Sequence, residues 1–393
     1  MEPGGERRVM TDLWLGHLAA DLASGALPAV LVFLKPALHL SYTKAGAAVL
    51  VATATSSIAQ PIFGRWADRH TTTWLVPVGI AASAVGIAAA PLVRNYPSLL
   101  AAVFVSGLGV GLFHPEAMKL ARHASGRRRA SGITIFQTGG NVGIALGPVV
   151  SGVVLAATGS KGGLLLLLPG GLVTLLLLAD FGALGRVRLT EHDRGGARAE
   201  PGDRSGPFRV LLVTAGLRSV AYYGLFTFVP LWEVSRGHSK GYGAALLSLV
   251  LVGGAIGTLF SGPLADRYGD KLVLVGALAL TPALLVVFVL SNGVVAVIAA
   301  TLAGALIVSG FGLTTFMGQE YMPSRIATAS GMTVGLTMGL GGVAAVLLGV
   351  VADAVNLRDA LLITAVAPAL AALVALLLPR EHGRRAYAAH AAG

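Results

Sequence analysis

The chain has 393 residues, of which 55% are hydrophobic and 12% charged, with mean hydropathy +0.77 and a formal charge of +11. A soluble domain carries roughly 25% charged residues, so this composition excludes a soluble globular protein and predicts an integral membrane protein. The chain has no cysteine, which excludes disulfides, thiolate metal sites and thiol chemistry.

A helix needs about 20 apolar residues to cross about 30 Å of hydrocarbon. Twelve such stretches predict an all-α fold, with spans near 12–34, 45–64, 73–92, 97–118, 131–157, 163–183, 208–235, 242–262, 271–290, 295–319, 327–351 and 358–379. Runs such as Leu164 to Leu168 are apolar on all sides, unlike the alternating strands of a membrane barrel.

Arg7 and Arg8 precede the first span as in a signal peptide, but the stretch contains His17 and Asp21 and continues to full spanning length. It is read as a retained helix. Asp21 falls near mid-bilayer, where insertion scales put the cost of an acid at about 2.5–3.5 kcal/mol, so it should face a cavity or a partner. His17 is one turn earlier on the same face. It either shares a proton with Asp21 or orients it, or it is a hydrogen-bonded packing residue.

The second span ends in Gly64-Arg-Trp-Ala-Asp68-Arg69, which returns after span 8 as Gly262-Pro-Leu-Ala-Asp266-Arg267. Ala130-Ser-Gly-Ile-Thr134 returns as Ala329-Ser-Gly-Met-Thr333, and the two offsets are 198 and 199. Duplicated bundles of membrane helices are the build of secondary transporters, which bind at the repeat interface. The expected domains are a six-helix bundle over 1–183, a polar linker over 184–207, and a second bundle with its tail over 208–393. In each Gly-x-x-x-Asp-Arg segment the Gly permits close helix approach, the Asp can cap a helix N-terminus and the Arg can pair with a carboxylate. Together they are read as a cytoplasmic latch between the halves.

Span 4 holds His114, Pro115 and Glu116, and span 10 ends in Gln319 and Glu320. Either acid can serve as a proton relay, but the favoured reading pairs them with Arg69 and Arg267 in the latch. Gln137 and Asn141 present two amides on one face of span 5, for substrate or for a neighbouring helix. Gly139, Gly140, Gly143 and Gly147 in span 5 and Gly331, Gly335, Gly339, Gly341 and Gly342 in span 11 predict close helix packing. Arg218 lies mid-way along span 7, at an offset of 197 from Asp21. The two are expected across one polar cavity, either as a static ion pair or as a pair whose balance a proton and an anion alternately bias. Tyr222 follows on the face of Arg218. Lys35 and Glu233 are expected near the outer ends of spans 1 and 7, as an outer gate pair.

Of the 29 Lys and Arg, 21 fall in segments assigned to the cytoplasm, seven in outer loops and one within a span. That asymmetry places both termini in the cytoplasm. It explains the positive charge as a topology signal with some attraction to anionic lipid, and argues against a nucleic-acid partner. The chain has no Gly-Lys dipeptide, hence no Walker A sequence, and no His-Glu-x-x-His. A proton gradient is therefore the expected drive, with no cofactor. Proton-coupled uptake of a small anion or metabolite is the alternative, and a membrane receptor or enzyme a remote one.

The repeated Asp-Arg segments resemble the signature loop of the major facilitator superfamily. The second copy continues as Tyr268-Gly269-Asp270-Lys271, whereas the first departs with His70-Thr71-Thr72. Within that superfamily the chain is similar to the fosmidomycin resistance family from about residue 13 to 379. The similarity rests on His17-Leu-Ala-Ala-Asp21, Gln60-Pro61-Ile-Phe-Gly64, Phe113-His114-Pro115-Glu116-Ala117, Phe136-Gln137-x-Gly139-Gly140-Asn141, Leu146-Gly147-Pro148 and Gln319-Glu320. The resemblance implies two six-helix bundles in a bacterial-type inner membrane, working as a monomer. It implies proton-coupled export of small anionic drugs, with the phosphonate fosmidomycin as the defining substrate.

Overall fold

The computed structural model describes residues 3–125, 129–188, 202–323, 329 and 331–379, with side chains at all of these except 3–6, 68–69, 129–132, 134 and 187–188. The Asp68 and Arg69 side chains, most of the expected linker and the tail after residue 379 thus lie outside the described set.

The apolar stretches form helices α1 (Pro3–Ala37), α2 (Tyr42–Arg69), α3 (Leu75–Ala89), α4 (Tyr96–Ala124), α5 (Arg129–Thr158) and α6 (Gly163–Ala179). After these come α7 (Ser205–Ser235), α8 (Lys240–Tyr268), α9 (Asp270–Leu290) and α10 (Gly293–Tyr321). A π-helical turn Met332–Leu336 leads into Thr337–Ala354 as α11, and α12 consists of Leu357–Thr364 and Val366–Ala375. Eleven stretches are long and apolar enough to cross a membrane, and one of them, Ile135–Ala179, contains both α5 and α6. Counted separately they make twelve, as expected, and no strand occurs among the described residues.

Local chemistry sets the helix starts. Ser41, Asn95, Ser239 and Asn356 each accept a hydrogen bond from a backbone N–H in the first turn that follows, which satisfies a donor the helix leaves unpaired. Gly269 links α8 to α9 at φ 93°, a left-handed conformation that favours glycine. The sixth span ends earlier than expected. Asp180 breaks it, taking hydrogen bonds from Arg8 of α1, and a short helix Phe181–Arg188 runs into the segment read as linker. Those bonds hold the Asp180 carboxyl below the usual carboxylate range.

The helices α1 to α6 pack mainly among themselves, as do α7 to α12, and the halves meet along α2 with α11 and α5 with α8. This meeting is tight at the end away from the termini. There Asp353 of α11 accepts hydrogen bonds from the Tyr42 and Thr43 backbone N–H groups (both 2.8 Å) and from the Thr43 hydroxyl (2.6 Å) at the start of α2. Ser248 of α8 accepts from the Val149 N–H of α5 at 3.0 Å. The glycines of the eleventh span split by depth: a Cβ on Gly342 would strike Leu50 and Thr53 of α2, whereas one on Gly331, Gly335 or Gly339 would meet nothing within 4 Å among the described residues. Among the described residues the halves therefore meet closely at the end away from the termini and leave the Gly331, Gly335 and Gly339 face uncovered at the other.

Candidate functional site

The site is built where α1, α4 and α5 meet. The α5 glycines let α1 approach backbone to backbone: a Cβ on Gly143 would lie 2.2 Å from the Leu18 carbonyl oxygen, and one on Gly147 2.5 Å from the Gly25 carbonyl carbon. Gly140 is the exception in this stripe. Its missing Cβ would fall 2.4 Å from His17 Nε2 and 2.6 Å from Asp21 Oδ2, so the space it leaves is filled by functional groups.

His17 Nε2 lies 3.4 Å from Asp21 Oδ2, and His114 Nε2 lies 3.6 Å from Asp21 Oδ1. His17 is stacked on Phe136 (ring centroids 4.3 Å apart) and meets His114 edge-on at 5.0 Å. His17 Nδ1 is bonded to the Phe136 carbonyl oxygen and His114 Nδ1 to the Val110 carbonyl oxygen, each at 2.9 Å. A carbonyl oxygen only accepts, so both Nδ1 atoms donate. In the neutral rings both Nε2 atoms then carry lone pairs. Two lone pairs and a carboxylate converge, with the three donor atoms all within 4.8 Å of one another. Three electron-rich groups turned on one point form a receptor for an electrophile.

The second element is Arg218 on α7, whose side chain is fully buried. The expected pairing with Asp21 does not form. The guanidinium turns instead towards α10, where Gly310 leaves room for it: a Cβ there would be 2.8 Å from Arg218 Cδ. Its face lies over the Phe311 ring at 3.5 Å and its Nη1 donates to the Ile307 carbonyl oxygen at 3.1 Å. Nε and Nη2 have no hydrogen-bond acceptor among the described residues. These two N–H groups form one side of the guanidinium, the fork that matches two oxygens of a carboxylate or phosphonate. Tyr222 meets Phe311 edge-on at 5.2 Å and lies within the electrostatic field of both Asp21 and Arg218.

The remaining expected residues separate from these centres. Glu116 is fully buried and accepts a hydrogen bond from Thr72 at 2.8 Å, which ties α4 to the turn before α3. α4 runs on through Pro115 to Ala124. Gln319 and Glu320 sit at the terminal turn of α10, half-buried and exposed respectively. Gln137 is exposed and Asn141 half-buried on α5, flanking Gly140. Gly64 is in ordinary contact range of Pro115, Gly262 faces open space, and Asp266 and Arg267 are exposed, with Arg267 over Tyr268 at 5.3 Å. The expected outer gate pair is not formed either. Glu233 instead takes His238 at 2.7 Å and Arg236 at 3.7 Å, while Lys35 lies over Tyr42 at 4.3 Å. Sequence reasoning missed Phe311, the role of Gly140 and the Asp353 closure. Their signals lie in spatial neighbours far apart in sequence, up to 311 residues for Tyr42 and Asp353.

The family model described as Major Facilitator Superfamily matches residues 13–346. The chain is 29% identical over 385 residues to the Fosmidomycin resistance protein of Escherichia coli (strain K12), covering 94% of this chain and 92% of that one. It is also 29% identical over 381 residues, with the same coverage, to an uncharacterised transporter of the same superfamily from Bacillus subtilis (strain 168). Among solved structures it is similar to the xylose transporter XylE from E. coli in a partially occluded inward-open conformation, with TM-score 0.73 and 15% identity over 97% of this chain and 99% of that one. The nucleoside transporter NupG gives TM-score 0.71 at 15% identity over 94% and 98%.

Proposed function

The chain belongs to the Major Facilitator Superfamily and is an integral membrane transport protein, and we propose that it is a proton-coupled antiporter that exports small anionic compounds by alternating access. Fosmidomycin is the first substrate to test, because a relative of matching length bears that name. The observation that carries the anion is Arg218. A buried guanidinium without a carboxylate partner costs several kcal/mol, and its unused Nε–Nη2 edge fits an oxyanion. The convergent His17, Asp21 and His114 supply the place for the coupling proton. Tyr222, Gln137 and Asn141 supply further polar groups nearby.

The membrane is a bacterial-type cytoplasmic one with both termini inside, on the charge asymmetry of the loops. The end with the uncovered glycine face then lies on the cytoplasmic side. The working units are bundles over 1–183 and 208–393 joined by 184–207, in a monomer. The Gly64–Arg69 and Gly262–Arg267 segments close the cytoplasmic end in the opposite state.

The test is fosmidomycin flux in proteoliposomes under an imposed pH gradient, for the parent, Asp21→Asn and Arg218→Gln. Gradient-driven counterflow abolished by either substitution is the expected result. Flux in the same direction as the protons would replace export by uptake. Gradient-driven flux that survives Asp21→Asn would move the proton site elsewhere.

A further inference from the structure

We propose that His17, His114 and Asp21 also form a binding site for a divalent d-block cation of the zinc and cobalt class. Two imidazole nitrogens and a carboxylate oxygen are the donor set such ions take when the protein supplies three ligands and leaves one position open. Bonds of about 2.0–2.1 Å place tetrahedral donors about 3.3–3.4 Å apart. His17 Nε2 is 3.4 Å from Asp21 Oδ2 and His114 Nε2 is 3.6 Å from Asp21 Oδ1, so each imidazole stands near that spacing from one of the two carboxylate oxygens. One donor atom from each residue can be chosen with all three within 4.8 Å of one another, so the donors need to draw together by at most about 1.4 Å.

Three further features fit this use. Each ligating Nε2 is aimed by its own Nδ1–H bond to a backbone carbonyl, the outer-shell arrangement that fixes tautomer and ring direction in metal sites. Gly140 gives His17 Nε2 and Asp21 Oδ2 the space that the Cβ of any other residue would take. His17 is 3% exposed while His114 and Asp21 are each 18% exposed, which leaves the open coordination position on the accessible side. The imidazoles select against calcium and magnesium, which take oxygen ligands. The absence of thiolate distinguishes the site from a structural zinc site and suits an exchangeable ion.

The metal would use the lone pairs that a proton would use, so the two exclude each other. That exclusion rests on the transport reading, and metal binding itself does not. The experiment uses purified full-length protein without a histidine tag, titrated with Co²⁺ and followed by its visible absorption, and with Zn²⁺ by calorimetry. The expected result is about one ion per chain in a four-coordinate Co²⁺ spectrum, with affinity at least tenfold weaker in His17→Ala, His114→Ala and Asp21→Asn. His238→Ala, beside Glu233 and outside the cluster, should bind as the parent does. A parent protein that takes up no Co²⁺, or variants that bind it equally, would overturn the proposal. The parent titration decides even where a variant does not fold. Proton-driven flux without metal binding sinks the metal site alone, and metal binding without proton-driven flux sinks the coupling alone.

Discussion

Gly140→Ala separates the site from the scaffold that carries it. The new methyl would lie 2.4 Å from His17 Nε2 and 2.6 Å from Asp21 Oδ2, where ordinary contact begins at 3.4 Å. The ring and the carboxylate must therefore retreat by about 1 Å, the scale at which misplacement costs about a hundredfold in a positioned site. Both groups are the far ends of side chains, so the backbone need not move. The loss of folding stability stays within the roughly 1–3 kcal/mol of overpacking, and the gain of up to about 1 kcal/mol from replacing Gly in a helix offsets part of it. Gly143→Ala, three residues on, puts its methyl 2.2 Å from the Leu18 carbonyl oxygen, and backbone cannot retreat. Gly143→Ala should then lower the melting temperature in detergent far more than Gly140→Ala does. Gly140→Ala should keep most of its stability and lose proton-driven flux by at least tenfold. Gly171→Ala, whose Cβ would meet nothing within 4 Å, controls for the propensity term. Parent-level flux in a folded Gly140→Ala protein would refute the placement of His17 and Asp21 in the transport cycle.

Other substitutions probe the remaining parts. Arg218→Met should raise the melting temperature by removing an uncompensated buried charge while abolishing anion binding, and Arg218→Lys should not restore the two-oxygen fork; a drop in stability for Arg218→Met would mean that the guanidinium is compensated. Asp353→Ala removes three hydrogen bonds across the closed end. It should lengthen the distance between spin labels at Lys44→Cys and Val355→Cys and shorten that between Trp66→Cys and Met332→Cys; unchanged distances would show that other contacts set the closure. Asp180 is held below the ordinary carboxylate pKa of about 3.9 by Arg8. Its contribution to stability is thus present above that value and lost as pH falls through the lower folded-state value. Asp180→Asn should lower the melting temperature at neutral pH and narrow its gap to the parent in strong acid. An equal gap at both ends would assign the effect to packing.

The fold was legible because hydropathy over some 20 residues is a one-dimensional signal, and the lengths of α1 to α12 follow from it. The His17–Asp21 contact was legible for the same kind of reason, since residues four apart on one helix are neighbours whatever surrounds them. His114 was different. Its place beside Asp21 depends on how α4 is rotated and slid against α1, which no local spacing reports. Arg218 marks the limit most clearly. Its depth could be read from its position in span 7, which made Asp21 the natural partner, but depth does not give direction. Direction was decided on α10, by Gly310 making room and Phe311 offering a ring face. The chemical character of the cluster was hidden one step deeper. Two histidines beside an aspartate read equally well as donors to it or as acceptors alongside it. The carbonyls of Phe136 and Val110 choose between the two, because each takes the Nδ1 proton and turns a bare Nε2 towards the carboxylate. Backbone groups have no side-chain identity to betray them in a sequence, yet here they turn three polar residues into a receptor for a proton or a cation.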